Sequence, residues 1–210
     1  MTRSTKTTLL MTALLTLAAA LAEAASGPIT GKGLKFGLAV ADMKGAGVES
    51  GLVPQAGITA GAFLTLSLTD FFYAQPEILF TQKGAEFEGG ANPYEYHYSY
   101  IEIPVLFKLG LAGPDSAFSP NVYAGPFLGF KAGAILETYL DPGQEESKEE
   151  KIPSVRGIDA GYVVGVGADM ILGPGRILLD VRYGRSLLSA VTTGTEVKHS
   201  IIAVFLGYSF

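Results

Sequence analysis

From residue 33 onward, apolar and polar positions alternate in short stretches. Side chains of an extended strand point to opposite faces with period 2, so each stretch divides into two rows. The last stretch, 199–210, is typical: Val204, Leu206, Tyr208 and Phe210 share one side, and Ala203, Phe205, Gly207 and Ser209 the other. The first, near 33–41, sets Leu34, Phe36, Leu38 and Val40 against Lys35, Gly37 and Ala39. Six more follow near 56–68, 71–83, 94–109, 121–133, 157–171 and 175–187. Their apolar rows include Ile58 to Leu68, Phe72 to Phe80, Ile101 to Leu109 (Val105 among them), Val122 to Phe130, Ile158 to Met170 and Ile177 to Tyr183, every second residue. Eight strands are predicted. Links near 69–70, 110–120 and 172–175 are short or turn-like, and the others are mostly longer. Short turns at one end and long loops at the other predict an all-β, eight-stranded antiparallel up-and-down transmembrane β-barrel, with both termini at the short-turn end.

Pro76, Pro104 and Pro126 fall inside predicted strands. Each removes one ladder donor, so irregular pairing is expected there. Inward glycines such as Gly125, Gly129, Gly161, Gly165 and Gly167 suit a narrow interior.

The chain ahead of these strands has a different pattern. Arg3 and Lys6 precede an apolar run over 8–21, and Ala22-Glu23-Ala24 fits a small-residue cleavage site. This predicts a signal peptide over 1–24 and a barrel domain over 25–210, roughly 186 residues and one domain. Beyond it no apolar run approaches the roughly 20 residues of a spanning helix. Yet 48% of the chain is hydrophobic and only 17% charged, which fits apolar residues spread over many strands. Without cysteine there are no disulfides or thiol chemistry. A net charge of −5 gives no hint of a nucleic-acid partner.

Four segments carry a resemblance: QPEILFTQKG (75–84), YSYIEIPVLFKLG (98–110), YAGPFLGF (123–130) and LLDVRYGRSL (178–187). Together they resemble the PorT-like outer-membrane β-barrel family, common in Bacteroidetes, and the likeness covers nearly the whole predicted barrel. Tyr100-Ile101-Glu102-Ile103-Pro104 is its most specific stretch. The resemblance implies an eight-stranded barrel in the outer membrane and does not by itself imply an activity. The expected partners are outer-membrane lipid and the barrel-assembly machinery, engaged through the strand ending at Phe210.

Charges recur on the inward rows: Lys35, Glu77, Glu102, Lys108, Lys131, Asp159, Asp169, Asp180 and Arg182. An eight-stranded barrel is filled by its side chains, and buried charges need partners. An internal salt-bridge network is therefore expected, with Glu77, Glu102, Lys108, Asp180 and Arg182 as its members. No catalytic, cofactor or metal site is assigned. His199 and Ser200 are adjacent and so face opposite ways, and His97 lies in a tyrosine cluster that reads as an interfacial girdle or a loop base. The segment 141–151, DPGQEESKEEK, reads as a solvated loop. The expected function is a small, non-enzymatic outer-membrane barrel with a structural or loop-mediated role. The alternatives are a narrow pore, a membrane-embedded lipid hydrolase and a soluble ligand-binding barrel. The last would place apolar residues inside, the reverse of these rows.

Overall fold

The computed structural model describes residues 28–45, 52–87, 94–113, 116–139, 147–151, 155–190 and 197–210. The predicted signal peptide lies outside them. Among the described residues nine antiparallel strands form one sheet: β1 (Ile29–Lys44), β2 (Leu52–Ser67), β3 (Phe72–Phe87), β4 (Tyr94–Gly110), β5 (Phe118–Tyr139), β6 (Ser147–Lys151), β7 (Ile158–Leu172), β8 (Gly175–Ser186) and β9 (Lys198–Ser209). Sheet order is β4-β3-β2-β1-β9-β8-β7-β5-β6, and β4 also pairs with β5. That pairing closes an eight-stranded barrel with no free edge, the only β solution for chain that water does not reach.

β6 stands outside the barrel and corrects part of the reading of 141–151 as loop. β5 runs on past Gly133 to Tyr139, and 147–151 returns alongside it, from Ile135↔Lys151 to Tyr139↔Ser147. β1, β2 and β3 likewise extend past their predicted limits at the long-loop end, to Lys44, from Leu52 and to Phe87. A register shift between Ser99 and Tyr100 leaves Ala132 as the extra residue of β5. Such a bulge turns the following residues to the other face. Phe130 is consequently exposed and Ala134 buried.

The rows fall as the alternation requires. Leu34, Phe36, Leu38 and Val40 are 51–65% exposed, and Ile202, Val204 and Leu206 are 53–57% exposed. An outside this apolar with a charged inside excludes the soluble ligand-binding barrel. Leu66, Ala74 and Val105, members of the predicted apolar rows, are exceptions. Leu66 and Ala74 are register partners buried against each other. Val105 is the partner of Pro76 and is fully buried. At the short-turn end Phe71, Phe72, Phe118 and Phe210 stand about half exposed or more, an aromatic girdle.

Each internal proline interrupts pairing on one side only. Pro76 lies in a gap between β2 and β3, Pro104 between β3 and β4, and Pro126 between β4 and β5. Pro76↔Val105, Pro104↔Phe127 and Pro126↔Tyr162 keep register on their other sides. The β7–β8 link is the two residues between Leu172 and Gly175, and its Gly173 has φ +61°, the position where a tight hairpin calls for glycine. Inside, Phe127 faces Gly161 and Tyr123 faces Gly165 across β5 and β7. A methyl group on either glycine would meet the opposite ring, so these glycines make room for the aromatics that floor the interior.

Candidate functional site

The inward side chains of β1, β3 and β8 meet near mid-barrel. Lys35 Nζ lies 2.9 Å from Glu77 Oε1 and 2.7 Å from Asp180 Oδ2. Arg182 donates to both Glu77 oxygens, at 2.9 and 3.2 Å, and lies 3.8 Å from Asp180. Gln75 Nε2 adds a 2.7 Å bond to Glu77 Oε1. All four charged side chains are at most 5% exposed. Lys35 and Arg182 also lie over the Phe205 ring, at 4.8 and 4.4 Å. Two cations thus face two anions. Distances near 2.8 Å are those of charge-assisted hydrogen bonds, which buried charges need to offset desolvation.

A second cluster lies nearer the long-loop end. Lys83 Nζ lies 2.6 Å from Glu102 Oε1 and 3.0 Å from Asp159 Oδ2, and Ser186 Oγ donates to Asp159 at 2.7 Å. Lys83 sits over Tyr100 and Phe127, about equally. His199, 2% exposed, meets the Tyr98 and Tyr100 rings edge-on at 5.2 and 6.2 Å. Neither of its ring nitrogens has a hydrogen-bond partner among the described residues. A cavity of about 20 Å³ separates the clusters, touching Glu102 on one side and Arg182 on the other.

The structure therefore brings Glu77, Asp180 and Arg182 together, places Glu102 in the second cluster, and sets Lys108 apart. Lys108 Nζ reaches Gln75 Oε1 at 3.2 Å and Asp169 Oδ2 at 3.5 Å, on a cavity of about 180 Å³ at the short-turn mouth. Lys131 donates to the Val155 carbonyl at 2.9 Å. Lys83, the centre of the second cluster, was missed by the sequence reading. Its odd number continues the row of Glu77, Leu79 and Thr81, so parity alone places it inside.

A third group lies on β4 and β5 at the long-loop end. Glu86, Glu95, Glu137 and Glu149 are successive register partners across β3, β4, β5 and β6. His97 Nε2 lies 3.2 Å from Glu95 Oε2 and 3.4 Å from Glu137 Oε2, and Gln55 Nε2 donates to Glu95 at 2.6 Å. Like charges directly opposite destabilise a sheet, and the His97 ring lies between the Glu95 and Glu137 carboxylates. Two residues along, Ser99 shares a strand face with His97, a spacing also passed over in the sequence. Among the described residues no group of three or more His, Asp or Glu is arranged to hold a metal ion.

A family model for the outer membrane protein beta-barrel domain matches residues 31–191. The chain belongs to that family, and its place is the bacterial outer membrane. The match is to the barrel domain at large and does not single out the PorT-like branch. Among solved structures, the attachment invasion locus protein Ail of Yersinia pestis is 15% identical, covering 86% of this chain and 98% of its own, with TM-score 0.44. OprG of Pseudomonas aeruginosa is 14% identical, covering 88% and 98%, with TM-score 0.45. The outer membrane enzyme PagL is 13% identical, covering 82% and 97%, with TM-score 0.44. No curated protein matches the chain.

Proposed function

We propose that this chain is a non-conducting, non-enzymatic outer-membrane barrel that presents its long-loop end as an interaction surface. The carrying observation is the Lys35–Glu77–Asp180–Arg182 lattice, which ties β1, β3 and β8 together across the interior with every carboxylate engaged. A pore would need these contacts to open, and buried ion pairs broken on one side cost about 3–5 kcal/mol. The extension of β3, β4 and β5 with β6 supports the second part, since it builds a sheet beyond the apolar band. Both termini are assigned to the periplasm, because the short β7–β8 link and the girdle of Phe71, Phe118 and Phe210 share their end of the barrel. Residues 1–24 are assigned as the signal peptide, the strand ending at Phe210 as the segment read by the assembly machinery, and the finer family as PorT-like.

Planar-bilayer recording of the purified protein tests the closed interior. No current above background is expected. Discrete, reproducible steps that change with Arg182→Gln would establish a pore instead.

One observation favours a second reading, a membrane-facing ester hydrolase. His97 has carboxylates at 3.2 and 3.4 Å on Nε2 with Ser99 on the same strand face, and a nucleophile, a base and an orienting carboxylate are what such chemistry requires. Against it, the Gln55 amide nitrogen lies 3.4 Å from His97 Nδ1, the nitrogen Ser99 would use. Lipid profiles after overexpression decide: a change abolished by both Ser99→Ala and His97→Ala supports hydrolysis, and unchanged lipids remove it.

A further inference from the structure

The cavity at the short-turn mouth differs from the mid-barrel lattice in how its charges are held. Lys108 is 3% exposed, yet among the described residues its ammonium is met at 3.2 and 3.5 Å, long for a charge-assisted bond. Its counter-ion Asp169 is shared with Asn121, whose Nδ2 donates at 3.3 Å. Asn121 is 4% exposed, and its Oδ1 is buried without a partner among the described residues. Asn121 Nδ2 also reaches the Ser119 carbonyl at 3.4 Å, and Ser119 Oγ accepts from Arg176 at 3.1 Å. Lys108, Asp169, Asn121 and Arg176 thus form one arc around a space of about 180 Å³. Two cations, Lys108 and Arg176, and two carboxylates, Asp169 and Asp70, line this one space. A plain anion meets Asp169, and a plain cation meets Lys108.

We propose that this cavity binds a small zwitterion, a free α-amino acid. Its carboxylate accepts from Lys108 and Arg176, and its ammonium donates to Asp169. The hydroxyls of Thr65 and Ser67 have given their protons to Gln75 and the Thr69 carbonyl, so they offer lone pairs to a ligand that carries a donor of its own. The cavity is small against the ~300–1,000 Å³ of drug-sized ligand sites, which limits the occupant to a few heavy atoms.

L-serine is the probe, with acetate and ethanolamine as half-ligands, titrated into isotope-labelled protein purified from membranes in detergent micelles. Amide shifts are read by nuclear magnetic resonance. The expected result is saturation by L-serine in the millimolar range, confined to amides near Lys108, Asn121 and Arg176, with at least tenfold weaker response to either half-ligand. Arg176→Gln, at the half-buried wall, is expected to weaken half-saturation about tenfold, as for one lost charge-assisted bond. Lys108→Met is expected to abolish saturation if the barrel keeps its heat-modifiable mobility on a gel. No saturable shift with L-serine on the unaltered protein overturns the proposal, whatever the variants do. Acetate binding as tightly as L-serine overturns the zwitterion, and shifts centred on the long-loop end overturn the site.

Discussion

The two ionic clusters inside this barrel are built from the same residue types and differ in balance. Near mid-barrel, two cations meet two anions, and Glu77 alone accepts from Lys35, Arg182 and Gln75. Nearer the long-loop end, one cation, Lys83, serves two carboxylates, with Ser186 helping one of them. His199 stands close by without a hydrogen bond among the described residues. The first cluster has no member to spare. The second has a carboxylate in surplus. Residues with equal burial and similar contacts are therefore expected to differ widely in what their loss does.

Glu77→Gln is the largest expected effect. It leaves two cations on Asp180, from which Arg182 already stands at 3.8 Å. Breaking a buried pair on one side costs about 3–5 kcal/mol. Urea unfolding in micelles, followed by the mobility difference between folded and unfolded bands on a gel, reads the loss. A loss under about 1 kcal/mol would mean that solvent reaches the lattice and the comparison fails.

Next comes Gly165→Ala. Its new methyl group would meet Tyr123 first, and the Tyr123 ring lies 5.6 Å beneath the Arg182 guanidinium. Overpacking of this kind costs about 1–3 kcal/mol. The same unfolding assay should show a loss smaller than that of Glu77→Gln. An unchanged midpoint would show that the ring moves freely, and so is no floor to the cluster.

The legibility of these features in the sequence depended on contrast between faces. Where lipid lies on one side and charge on the other, as from Leu34 to Val40 or from Ile202 to Leu206, alternation gave the strands, their faces and the barrel. Beyond the apolar band the contrast disappears. There both faces carry polar groups, Glu95, His97 and Glu137 on one and tyrosine hydroxyls on the other, so period 2 does not mark β5 past Gly133 or tell β6 from loop. The bulge at Ala132 then reversed the faces, which no period-2 count anticipates. Irregular pairing at Pro76, Pro104 and Pro126 was foreseeable because a missing donor is a property of the residue. The interior charges were legible as a set, but their grouping was not: Lys35 meets Asp180 across 145 residues of chain, and only register decides that. Lys83 was lost for a smaller reason, standing at the last position of a predicted strand whose even row had already ended at Phe80.

Glu102→Gln tests the surplus directly. Lys83 keeps Asp159 at 3.0 Å, and the new amide oxygen still accepts from it. The cluster becomes one cation against one anion. The expected change is below about 1 kcal/mol, since a neutral acceptor replaces a charged one without leaving a buried charge alone. A loss comparable to that of Glu77→Gln would show that the second cluster has no member to spare either.

The smallest effect is expected at His199, and its sign is informative. Both ring nitrogens lack partners among the described residues, while the ring itself packs edge-on against Tyr98 and Tyr100. A buried polar group without a bond costs about 1–3 kcal/mol, and replacing it by an apolar group of similar shape removes that cost. His199→Phe keeps an aromatic ring for both tyrosines and removes the two nitrogens. Some of the gain is offset because the phenyl ring is larger and the site is closed. The unfolding free energy should therefore stay the same or rise by up to about 1 kcal/mol. A clear loss would mean that the imidazole holds a bond to the second cluster, to Asp159 first, and that the surplus carboxylate is paired with His199 instead of idle. The cluster would then be balanced as the first one is, with histidine in place of a second permanent cation.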